Sequence, residues 1–138
     1  MMFRKKTNTP SQLPLILSFC VCVLSGLAAL AQADFRNSGL ARIEQELSTY
    51  SKLLSLRSEP WASKVKNRID FAQFKIQNAF IANNLAEENL HLKHACHALF
   101  DERALLIEAQ LAESGDAALL EKLIEQTFSH REILGCGE

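Results

Sequence analysis

Past residue 33 the chain contains one proline, Pro60, and four glycines, Gly39, Gly115, Gly135 and Gly137. So little punctuation excludes the short strands and tight turns of a sandwich or barrel. Apolar–polar alternation over strand length is missing as well, which removes a half-buried sheet. There is no basic excess: 15 Lys+Arg stand against 16 Asp+Glu. A nucleic-acid binder would carry one, so no nucleic-acid partner is expected. The chain also lacks G-x-S-x-G, H-E-x-x-H and any glycine-rich phosphate loop. Without a convergent polar set, no enzyme activity and no cofactor are expected.

What is present begins with a leader. Arg4, Lys5 and Lys6 precede the apolar run LPLILSFCVCVLSGLAAL, and Ala31-Gln32-Ala33 supplies a small-x-small cleavage signal. Residues 1–33 therefore read as a secretory signal peptide and 34–138 as a single domain. The expected destination is the periplasm or the extracellular medium. The competing reading keeps Leu13 to Ala33 as a membrane anchor, since ~20 apolar residues can span. After cleavage no stretch is apolar enough to cross a membrane. Residues 34–75 are net basic and 76–138 net acidic, so packed helices can neutralise one another.

The domain is expected to be all-α, a small bundle of three or four helices with a long central helix or a helix hairpin. Leu40, Ile43, Leu47, Tyr50 and Leu54 fall at 3-4-3-4 spacing, the seam of a first helix over Gly39 to Arg57. Ser58 or Glu59 caps the next, with Pro60 in its first turn. Trp61 to Ser114 holds neither Gly nor Pro, and as one helix it would reach about 81 Å. Asn84 and Glu87 have the spacing of a capping box. A continuous rod and a break at Asn83-Asn84 both remain open. Ser114-Gly115-Asp116 marks a turn, Gly115 ending one helix and Asp116 capping another. The last helix runs from Ala117 to Leu134, with Ala117, Leu120, Leu123, Ile124, Thr127 and Phe128 inward and Gly135 at its end.

Two cysteines survive removal of the leader, Cys96 and Cys136. In an exported chain such a pair is expected to form a disulfide. The spacing agrees. About Asp116 as pivot, each cysteine lies 20 residues away, the placement that an antiparallel hairpin brings side by side.

Cys96 belongs to HLKHACHALF, which packs three histidines and a cysteine into seven residues. On a helix, Leu85, Leu92, Cys96, Leu99, Phe100, Leu106 and Ile107 share the apolar face. His91 and His94 fall on the other side with Glu87, Asp101 and Glu102, and His97 lies on the border. Glu87, His91 and His94 have i,i+4 and i,i+3 spacing that could converge on a cation. Half a haem-attachment motif also ends at Cys96-His97. The competing reading is a solvated polar face, with Glu87-Glu88 and Asp101-Glu102 as surface charges.

The second helix carries more apolar surface than one core face needs. Trp61, Val65, Ile69, Ala72, Ile76 and Phe80 form the expected inner stripe, while Phe71, Phe74 and Ile81 project from nearly the opposite side. Burial under Phe35 and the amino-terminal tail, self-association, or another envelope or secreted partner would each cover them. The expected function is a non-catalytic protein–protein interaction or structural module acting through this face. The alternative is a metal- or haem-binding bundle using His91, His94 and His97.

Overall fold

The computed structural model describes residues 37–137. Four helices and no strands account for them: α1 (residues 37–55), α2 (Pro60–Phe80), α3 (Leu85–Leu111) and α4 (Ala117–Leu134). The leader, its two cysteines and Phe35 lie outside the described residues.

The open choice between rod and hairpin falls to the hairpin. α2 stops at Phe80 and α3 starts at Leu85, because Asn84 offers the new helix a better start than continuation. Its side chain accepts from the Glu87 N–H at 2.8 Å, while Glu87 reaches back to accept from the Asn83 N–H at 3.2 Å. Two otherwise orphan donors are satisfied, which is the logic of a capping box. Pro60 opens α2 and Asp116 caps α4, accepting from the Ala118 and Leu119 N–H groups.

Both later helices end in the same two-bond motif, and only one has the residue it wants. At the end of α4, Gly135 takes φ 72°, and the Gly135 and Cys136 N–H groups donate to the Glu132 and Arg131 carbonyls. At the end of α3 the left-handed position belongs to Glu113, φ 51°, with matching bonds from Glu113 to Gln110 and from Ser114 to Ala109. Gly115 was expected to end this helix. Its real task is contact: a Cβ there would lie 2.9 Å from the Trp61 indole nitrogen. That indole donates to the Ser114 carbonyl at 3.1 Å, which fastens the start of α2 to the α3–α4 turn.

The short connections make successive helices antiparallel. α3 packs against both α2 and α4. α1 closes the other side, meeting α2 through Ser51–Asp70 and through Glu44 with Gln73 and Gln77, and α4 through Glu46–His130. Arg57 of the basic stretch pairs with Asp116 of the acidic one at 3.5 Å, so the charge asymmetry is partly neutralised within the domain.

Ile43, Leu47, Ile69, Ile76, Leu99, Leu106, Leu120 and Leu123 fill the core. The first-helix stripe and most of the second-helix stripe are where the periodicity put them. Phe80, expected inward, is exposed at the last residue of α2, where the helix has run past its cover. Ala117 and Phe128 on α4 are also outside; Leu120, Leu123, Thr127 and His130 are the buried set. On α3, Leu85 and Phe100 are exposed, and Ala95, Ala98, Glu102 and Ala109 are buried with Leu92, Leu99 and Leu106.

Candidate functional site

The surplus apolar side chains of α2 stand in the open. Phe71 is 44% exposed, Phe74 54% and Ile81 77%. Phe74 and Ile81 are seven residues apart and so share one side of the helix; Phe71 precedes Phe74 by one turn. The Lys75 ammonium sits 5.4 Å from the Phe71 ring centre and 5.8 Å from that of Phe74. A cation over a ring face is held by its quadrupole, so Lys75 steadies both rings without covering them. Around the α2–α3 turn Phe80, Leu85 and Leu90 add further exposed apolar surface.

Phe71 also forms one wall of a surface pocket with Arg68, Lys75, His94, His97 and Asp101, over Ala98. Two features that the sequence offered separately, the aromatic surplus and the histidine strip, thus meet along the α2/α3 seam. Burial lowers the His94 pKa from its ordinary value, and the positive charges of Lys75, His91, His97 and Lys93 lower it further. This part of the seam is locally electropositive.

The three proposed metal donors are split between neighbours. His91 Nε2 lies 3.8 Å from Glu87 Oε1, while His94 is part of the seam with Lys75. Among the described residues no group of three or more His, Cys, Asp or Glu side chains is placed to hold a metal ion. The buried Nδ1 atoms of His91 and His94 have no hydrogen-bond partner there. Cys96 points the other way, toward α4, and forms a disulfide with Cys136 across a Cα–Cα distance of 5.6 Å.

Glu102 corrects the reading of Asp101-Glu102 as a pair of solvated charges. It is 2% exposed, in line with Ala95 and Ala109 at seven-residue spacing, on the inner side of α3. Burial raises its pKa to about 8, so the carboxyl group is largely protonated at neutral pH. Its Oε2 has no hydrogen-bond partner among the described residues. Burial also raises the pKa of Tyr50, as do the nearby charges of Glu46 and Glu102. Buried Thr127 and His130 supply the polar part of α4's inner face.

The periodicity could have revealed this interior. Ala95, Glu102 and Ala109 form the second row of a heptad whose first row is Leu92, Leu99 and Leu106. His130 continues the 3-4-3 series Leu120, Leu123 and Thr127. A substrate has no access to Glu102, so a raised carboxyl pKa here describes the core and not a reaction centre.

On the α3/α4 side, two cation–π contacts cross the seam in opposite senses. Arg103 of α3 lies 3.7 Å from the centre of the Phe128 ring, and Arg131 of α4 lies 5.2 Å from that of Phe100. Together with the disulfide they account for two half-exposed phenylalanines.

Fold and surface define a disulfide-linked four-helix domain with an aromatic and cationic seam between its two longest helices. The chain matches no protein-family model, no curated protein and no solved structure, so its function rests on its own geometry. No helix among the described residues is long and apolar enough to cross a membrane.

Proposed function

We propose that the chain is an exported, non-catalytic helical module that works through protein–protein contact at the outer face of α2. The observation that carries this is the exposure of Phe71, Phe74 and Ile81 on a domain whose core is filled without them. Scattered apolar residues need no explanation, but aromatics repeated along one side of a helix mark a contact surface. The Cys96–Cys136 bond supports export, because disulfides persist in oxidising compartments.

The test is cross-linking in cells that express the full chain, comparing wild type with Phe74→Asp. Discrete cross-linked species in the wild type, lost in a variant with the same circular-dichroism melt, are expected. Identical species in both, or none in either, would remove the surface from the account.

A further inference from the structure

The pockets along the α2/α3 seam join into one groove. The Phe71 pocket shares Arg68 with a second stretch that adds Lys64 and Leu105. Those two are shared in turn with a third stretch, which reaches Trp61 and Glu108. From Pro60 to Lys75 the groove follows α2 for about 22 Å at 1.5 Å per residue.

Its walls differ in charge. The α2 wall carries Lys64, Arg68 and Lys75; the α3 wall carries Asp101 and Glu108 with His94 and His97. The two walls are also in register. Arg68 stands level with Asp101, 3.9 Å away, Lys64 shares its stretch with Glu108, and Lys75 shares its stretch with His94.

We propose that this groove is the face of a homodimer whose two-fold axis runs along it, so that α2 of each copy lies over α3 of the other. The inference rests on the interaction reading above, whose face the groove shares at Phe71, and names its partner as a second copy of this chain. Rotation about the groove keeps each residue at its own height and exchanges the walls. Lys64 then meets Glu108 of the second copy, Arg68 meets its Asp101, and Lys75 meets its His94. A two-fold axis across the groove would lay basic wall on basic wall, at a cost in like-charge repulsion. The half-exposed Phe71 of each copy lies between Arg68 and Lys75, toward one end of the groove, where the two rings stand at the same height and add apolar contact. Over the Lys64–Glu108 and Arg68–Asp101 stretches the walls are of opposite sign, which suits a self-complementary surface better than a polyanion, since a polyanion would meet Asp101 and Glu108.

A face ~22 Å long and two helix diameters wide is at the small end of specific interfaces, so affinity in the micromolar range is expected. The test is sedimentation equilibrium of the purified full chain from about 1 µM to about 1 mM, which brackets such affinities. Wild type should reach the mass of two chains. Arg68→Asp and Asp101→Arg should each weaken association at least about tenfold, because like charges then face each other. An equimolar mixture of the two variants should pair again. Such rescue between chains cannot arise from the exposed Arg68–Asp101 pair within one chain.

A wild-type chain that stays monomeric overturns the proposal, as do single reversals without effect or a mixture that does not pair. So does a monomer that gains mass only with added poly-glutamate or DNA. Failure is separable from that of the broader reading. Discrete Phe74-dependent cross-links in cells, with a purified chain that stays monomeric, would keep the surface and remove the second copy as its occupant.

Discussion

His130 Nε2 lies 2.5 Å from Glu46 Oε2, and this contact joins the last helix to the first inside the bundle. The imidazole is 1% exposed, whereas the Glu46 side chain keeps a third of its surface in water. The carboxylate is therefore already partly solvated, and the histidine is the partner that depends on the bond. Glu46→Ala would leave a buried ring nitrogen with no partner, at a cost of about 1–3 kcal/mol. Glu46 also pairs with Arg42 at 3.5 Å, a largely exposed contact, and Arg42→Ala should cost less than about 0.5 kcal/mol. Urea unfolding of the two variants checks the contrast. Equal midpoints would show that the buried contact contributes nothing beyond a surface pair.

Glu102 makes stability depend on pH in an unusual sense. Its folded-state pKa, about 8, lies above the ordinary glutamate value of 4.5. Between those two values the native state holds a proton that the unfolded state releases. Stability from this group is thus full below pH 4.5, falls as pH rises toward 8, and levels off above. Glu102→Gln keeps the shape of the protonated acid and cannot ionise. It should be nearly neutral at pH 4.5 and stabilising by roughly 2–4 kcal/mol at pH 8. Thermal melts across that range read the effect directly. A constant difference between variant and wild type would mean that Glu102 is not a buried, protonated acid.

These two side chains also mark the limit of what the sequence told. Apolar periodicity placed Leu40, Ile43, Leu47 and Leu54 on α1, and Val65, Ile69 and Ile76 on α2, correctly inside. Counting from Asp116 paired Cys96 with Cys136. What failed was the placing of Glu102 on the polar face with His91, His94 and Asp101. Glu102 follows Ala95 by seven residues and His130 follows Thr127 by three, both seam spacings, and helix packing buries the two side chains. Phe80, Phe100 and Phe128 failed in the reverse direction. Their spacing argued for the core, but Phe80 outruns its helix neighbours, and the other two stay about half exposed, each with an arginine of the facing helix on its ring. For the contact surface, Phe71, Phe74 and Ile81 were legible as a surplus. The grouping of Phe71 with His94 and Asp101 was not, because it joins residues on two helices.

The two helix ends give a paired test. Glu113 holds a left-handed conformation that glycine adopts without cost, so Glu113→Gly should stabilise the domain by ~0.5–1 kcal/mol. Gly115 has no such φ but lies against the Trp61 indole. Gly115→Ala should cost about 1–3 kcal/mol through overpacking. It should also shift the emission of Trp61, the single tryptophan of the chain. Chemical unfolding and fluorescence of both variants check the assignment. A destabilised Glu113→Gly would mean that the α3 end does not use the motif described above.

Reduction of Cys96–Cys136 offers the last test, and here two effects can be separated. The bond closes a loop of 40 residues, which in the chain-entropy model stabilises the fold by about 3–4 kcal/mol. It also fixes the tail that follows α4, but not α4 itself. Leu120, Leu123 and Thr127 are buried, and the Arg103–Phe128 and Arg131–Phe100 contacts cross the seam without help from sulfur. The reduced protein should therefore lose stability by that amount and still keep its native helix content at room temperature. Cys96→Ala/Cys136→Ala should behave in the same way. Circular dichroism before and after reduction, followed by urea unfolding, distinguishes the cases. Loss of helix content on reduction alone would mean that α4 is held by the covalent link and not by its buried face.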